Sequence, residues 1–508
     1  MSVRLPLIFV LSFLALRPLF AQNAPPENAC ATPGYSPWLE AYHAGKIARR
    51  PKSVEVQYVP VHLTLLGDDD GFGYADPLTV LKSFEFLNED FAKINVRFFI
   101  DNEIDYLNST AYYDHEFDGG NELMRNYNRD NMVNSYIVGR AAGACGYYSP
   151  SADGVVLDID CINGIDRTWS HELGHFFGLR HTFYGWESFE TNKAVEDAYR
   201  DSPAPATLSL NGRTVEVERV DGSNCQDAAD GFCDTSPDYL PERWRCEADG
   251  NYLHSFQDPD GTAFEVPASN IMSYAFDGCV EQFSEEQITA MNTNLGTNRI
   301  GLASTVVPEF TAAKAEDIDL LAPENFERVP YSDVVDLVWN RVPNADFYLV
   351  QVNSTGTFGN EVTYSFFTSD TTATVRDILA PQKRYYWRVR PVNRYDVSGD
   401  FSATYQFFNG AVISTATMDP ALDAAIAINP NPVAPGQSFL VTGNRLGHGT
   451  ADWQLYDAAG RIAKEQRGIQ VTGDLSATVP TNDLTPGIYF FRLSLEGRMV
   501  TRRLVVTP

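Results

Sequence analysis

Between Thr168 and His181 the chain reads Thr-Trp-Ser-His171-Glu172-Leu-Gly-His175-Phe-Phe-Gly178-Leu-Arg-His181. Residues four apart share one face of a helix, so His171 and His175 would present their imidazoles to a single point. Glu172 sits beside the first of them, within reach of a water held at that point but not placed as a third ligand. Gly178 can take backbone angles closed to other residues, which lets the chain leave the helix and swing His181 back. Three neutral imidazoles fill three tetrahedral positions of Zn²⁺ and leave the fourth open, as a catalytic site requires and a structural one does not. Three of the chain's 8 histidines fall in this window, which argues against ordinary core or surface histidines. The chemistry expected is hydrolysis by a zinc-activated water, with Glu172 as general base.

The elements that must hold this window are legible around it. A strand pattern over Val54–Leu65 precedes a helical pattern from about Pro77 to Lys93 and a second strand over Ile94–Ile100. Further strands are expected at Asn134–Val138 and Val155–Ile159, directly before a helix from about Arg167 to Phe177. This is an α/β opening. Downstream, Ser269-Asn-Ile-Met272-Ser-Tyr274 places a methionine among apolar residues, a setting usually belonging to core.

At 508 residues two to four domains are expected, and a formal net charge of -29 disfavours nucleic acid and anionic lipid as partners. Arg4, the apolar run Leu5–Leu16 and small Ala21 read as an export signal over 1–21. That run is too short to span a bilayer, and no later segment is apolar enough to do so. Residues 22–52, rich in Pro and Ala, read as a pro-segment or linker without a periodic apolar face. Seven cysteines suit an oxidising destination. Cys145 is expected to pair with Cys161, and Cys225, Cys233, Cys246 and Cys279 among themselves, which leaves Cys30 over. Its thiolate could occupy the open zinc position in a zymogen; the alternative is an inert thiol in a removed peptide.

The catalytic region is expected to cover 53–302, followed by a linker over 303–322. Short alternating segments over 323–410, with Trp339 and Trp387 as core candidates, resemble a fibronectin type III module. From 426 to 508 the chain is again strand-rich. Its Asn429-Pro-Asn-Pro432 opening, the Asp457-Ala-Ala-Gly460 turn and the Pro486-Gly-Ile-Tyr489 hairpin resemble the C-terminal sorting domain of type IX secretion cargo. That resemblance implies passage through outer-membrane secretion machinery to the medium or cell surface.

After the long histidine motif, Met272 matches the Met-turn of metzincin peptidases. Over roughly 54–300 the chain resembles their pappalysin family and is ulilysin-like in His181-Thr-Phe183, Asp230-Gly-Phe-Cys-Asp234-Thr-Ser-Pro237, Asn270–Tyr274, Cys279, Phe283-Ser284 and Gln287. The resemblance implies an α/β metzincin-type catalytic domain and protein or peptide substrates; the segments 323–410 and 426–508 are expected to follow it as two all-β sandwich domains. It implies Tyr274 as donor to the tetrahedral intermediate. It further implies a structural calcium using the Asp230 side chain and backbone oxygen near Thr235. An insertion over about 186–223 departs from the family. So does Gly278, which stands where arginine-cleaving relatives carry an acidic residue; the nearest carboxylate is Asp277. Substrate is expected to add to the edge strand around Gly146–Ser149. The rival reading is a surface adhesin keeping the peptidase fold without activity.

Overall fold

Apolar runs pair into a nine-stranded sheet whose main path runs Val96–Ile100, Gln57–Gly67, Val133–Val138, Gly154–Asp158, Ala144–Ser149, Arg140–Ala141 and Asp114–His115. The computed structural model describes residues 28–32, 35–306, 308, 310–330, 334–359, 363–376, 378–410, 420–457, 461–496 and 498–507, and the expected leader lies outside them. The first four strands run parallel, and Ala144–Ser149 turns back antiparallel against Gly154–Asp158. Every residue of Val133–Val138, Ala144–Ser149 and Gly154–Asp158 is buried. A sheet covered on both faces needs continuous apolar runs and not alternation.

The helix Pro77–Ala92 begins with Pro77 at its first turn and Asp76 accepting from Thr79 N, and it buries Val80, Leu81, Phe84, Leu87 and Phe91. Trp169 packs its ring 5.5 Å from that of Phe84, which ties this helix to the one carrying His171. A third helix, Glu285–Thr297, opens with a capping box between Ser284 and Gln287.

Residues 28–52 depart from the expected featureless segment. Asn28–Cys30 is a strand parallel to Ala144–Ser149, with Asn28 opposite Ala144 and Cys30 opposite Gly146. Pro37–His43 is a helix capped by Ser36, with Leu39 and Tyr42 buried. Seven residues are too few to display a periodic face; an ion pair between Glu40 and Arg180 and burial of Leu39 and Tyr42 in the main apolar core hold the helix in place. The insertion is ordered as well, with a helix at Asn192–Tyr199 and a hairpin of Thr207–Leu210 with Arg213–Glu216.

The chain divides into two compact units. The first holds the α/β part together with 336–374 and 385–406. Phe347, Leu349, Phe367 and Val392 belong to the same apolar cluster as the α/β core. Trp339 and Trp387 are buried as expected. The second unit contains the C-terminal strands in a three-stranded and a four-stranded sheet. Phe439, Leu455, Phe491 and Leu504 are fully buried in its core.

Candidate metal and catalytic site

All nine residues of the helix Thr168–Phe176 are buried, and His171 and His175 lie on one face of it. The helix ends where expected: Gly178 takes φ +97°, and Leu179 N returns to Gly174 O at 3.0 Å. Gly178 is needed for close approach too, because a Cβ there would lie 2.7 Å from the Trp38 ring. The reversal brings His181 against the other two. The Nε2 atoms of His175 and His171 are 3.2 Å apart, and those of His175 and His181 are 3.1 Å apart.

Tautomers follow from the outer partners. His171 Nδ1 donates to Ile271 O at 2.7 Å and His175 Nδ1 to Leu179 O at 3.0 Å. His181 Nδ1 faces Glu187 Oε1 at 3.2 Å. Carbonyl and carboxylate oxygens only accept, so each proton sits on Nδ1 and each Nε2 offers a lone pair. Three lone pairs at this spacing repel one another unless a cation lies between them. The separations approach the roughly 3.3 Å between corners of a tetrahedron with bonds of about 2.0–2.1 Å. Burial, then the neighbouring His181 imidazole, pushes His171 down to about 3, which keeps it a neutral donor. The donor set therefore fits a divalent metal.

Cys30 joins the cluster: its Sγ and the three histidine donors all lie within 4.8 Å of one another. The cysteine is free and buried, while Cys145 pairs with Cys161, Cys225 with Cys233 and Cys246 with Cys279. Glu172 is fully buried, and burial pushes its carboxyl up to about 8 although Cys30 and Thr32 pull it down. Its Oε2 accepts from Thr32 Oγ1 at 2.9 Å and from Cys30 Sγ at 3.4 Å. Tyr274 donates to Cys30 O at 2.9 Å, its ring 4.8 Å from that of His181. The edge expected to receive substrate is thus covered by the chain's own residues 28–32.

Met272 packs directly beneath the histidines: a Cβ on Gly174 would lie 2.3 Å from its Sδ. Thr182 N donates to Met272 O at 3.2 Å. Asp238, missed in the sequence reading, binds the two segments by accepting from Thr182 Oγ1 at 2.7 Å and Ser273 Oγ at 2.8 Å. Thr32 and Glu187 were missed as well. Asp230 and Thr235 meet in a separate loop, where Thr235 Oγ1 donates to Asp230 Oδ1 at 3.0 Å. Burial raises Asp230 to about 7, and neighbouring Glu218 rises to about 9 through burial and then through Asp230 and Asp238.

Residues 427–507 match the family model described as "Secretion system C-terminal sorting domain". The protein is therefore an exported one, secreted or held at the cell surface, whose tail engages the secretion machinery. Among the described residues no helix is long and apolar enough to cross a membrane. A further similarity extends over about half the chain. An extracellular metalloprotease of Pyricularia oryzae is 23% identical over 283 residues, spanning 52% of this chain and 82% of that protein. One of Podospora anserina is 22% identical over 277 residues, spanning 50% and 78%. One of Neurospora crassa is 25% identical over 243 residues, spanning 44% and 68%. Among solved structures, the FN1–FN3 domains of chicken CNTN1 align at TM-score 0.20 and 13% identity, over 39% of this chain and 67% of that one. The structure of FN3tt aligns at 0.15 and 21%, over 20% and 100%.

Proposed function

We propose that the protein is a zinc-dependent endopeptidase of the metzincin class, pappalysin-like, held latent by its own N-terminal segment. The observation that carries this reading is the convergence of three Nε2 lone pairs at 3.1–3.2 Å beside a buried glutamate. The three metalloprotease relatives support it. His171, His175 and His181 would hold the ion; zinc, when bound, supplies acidification of a water and polarisation of the scissile carbonyl.

Glu172 takes the proton from the attacking water and delivers it to the leaving amine. The buried Oε1 of Glu172, which has no hydrogen-bond partner, is free for that transfer. Tyr274 points its hydroxyl at a peptide carbonyl, that of Cys30, and would donate likewise to the developing oxyanion of a substrate. Substrate would add to the edge strand Ala144–Ser149, and in the antiparallel sense it would run opposite to Asn28–Cys30. The parallel course of Asn28–Cys30 would then let the segment fill the cleft without being cut.

Latency follows from what that segment touches. Cys30 Sγ stands among the zinc donors, Thr32 engages the general base, and Cys30 O engages Tyr274. Calcium is proposed at the Asp230–Thr235 loop, where a hard cation would relieve the repulsion between buried Asp230 and Glu218. Zinc analysis and, after the chain is nicked in the exposed stretch holding Lys46, Arg49 and Arg50 to release the N-terminal segment, cleavage of a generic protein substrate test the main reading. One zinc per chain is expected, with activity abolished by a chelator and lowered about 10²–10⁴-fold in Glu172→Gln. A chain that binds no zinc, or a Glu172→Gln variant as fast as the parent, would overturn it. For calcium, removal by a selective chelator is expected to lower the melting temperature; an unchanged melt would refute that assignment.

A further inference from the structure

Beside Glu172 a cleft is lined by Arg167, His171, Arg243, Ile271, Tyr274 and Asp277 among others. Of its two lining carboxylates, Glu172 and Asp277, the second is already engaged: Oδ1 accepts from Arg167 N at 3.1 Å and Oδ2 from Arg243 Nη2 at 3.2 Å. Position 278 adds no charge, being glycine with open space where a side chain would begin. Arg167 is spent on buried Asp90, its Nε 3.3 Å from Oδ1, whereas Arg243 Nε is buried without a hydrogen-bond partner. A guanidinium cannot shed its proton to escape burial, so an incompletely paired one favours an incoming carboxylate and repels a cation.

The strand direction assigns the cleft to one side of the cut. A substrate antiparallel to Ala144–Ser149 runs its carboxyl-terminal half toward Ala144 and Cys145. Arg243 Nη1 lies 3.6 Å from Cys145 Sγ, at that end of the strand. We propose that the cleft takes the side chain immediately after the cut bond and selects aspartate or glutamate there, with Arg243 as the specificity-determining residue. The inference rests on the endopeptidase reading.

The test uses the full chain, zinc-loaded and nicked by trypsin in the exposed basic stretch that holds Lys46, Arg49 and Arg50. Cut sites are sequenced in a peptide library, and kcat/KM is measured on matched peptides with Asp, Asn or Lys after the cut. Asp is expected over Asn by about tenfold or more, with Lys below Asn. Arg243→Gln is expected to bring the Asp/Asn ratio near one, and Arg243→Lys to keep part of it. Binding of the same labelled peptides to the Glu172→Gln chain is expected to show the same order without turnover. An Asp/Asn ratio at or below one in the parent, a preference for Lys or Arg, or a ratio unmoved in Arg243→Gln would overturn the specificity while leaving the enzyme reading intact. Failure to cut any peptide would instead sink the enzyme reading, and the inference with it.

Discussion

Glu187 enters the site from the first residues of the insertion, and its removal isolates what an outer carboxylate does for a metal ligand. Its Oε1 lies 3.2 Å from His181 Nδ1, while Oε2 accepts from Gly185 N at 2.7 Å. The carboxylate is thus held from behind and fixes both the ring plane and the tautomer of His181. Losing such a partner lowers metal affinity by about 10–100-fold, which is about 1.4–2.7 kcal/mol. At saturating zinc the same loss appears as a drop in holoprotein stability of about that size. The assay is zinc competition against a chromophoric chelator for the parent, Glu187→Gln and Glu187→Ala, alongside melting of the metal-free proteins. Weaker zinc binding with an unchanged metal-free melt is expected, and the loss should be larger in Glu187→Ala. Affinities within twofold of the parent in both variants would refute the reasoning, since His181 would then be oriented without Glu187.

Other outcomes follow from the same contacts. Zinc-loaded Cys30→Ala is expected to cut a generic substrate before the N-terminal segment is removed. Thr32→Val in addition should raise that rate, because the general base loses its 2.9 Å donor; a double variant as silent as the parent in a fluorogenic assay would refute the latency scheme. Gly174→Ala should cost about 1–3 kcal/mol in chemical denaturation, because its Cβ would lie 2.3 Å from Met272 Sδ. Replacing the Cys246–Cys279 pair, separated by 33 residues, should cost about 3.7 kcal/mol against about 2.5 kcal/mol for Cys225–Cys233, separated by 8. The reverse order in denaturant titrations would count against the loop-entropy argument.

What could be read from residue order is what depends on local spacing. His171, Glu172, His175, Gly178 and His181 lie within one helix and the turn that ends it, so their geometry follows from helix pitch and from one positive φ. The strands of the parallel sheet show as apolar runs for the same local reason. The partners that complete the site come from elsewhere: Thr32 reaches Glu172 across 140 positions, and Asp238 reaches Thr182 across 56. A threonine in a Pro-rich stretch and an aspartate after a Ser-Pro pair carry no mark of such duties in one sequence. The N-terminal helix Pro37–His43 makes the point most clearly. Too short to be stable by propensity alone, it is ordered because Glu40 finds Arg180 and because Trp38 closes over Gly178. Cutting the chain after it would leave only noncovalent contacts to keep Cys30 among the histidines. On the proposed latency, release of the cleft would follow a single covalent event, a coupling that a motif confined to residues 171–181 does not disclose.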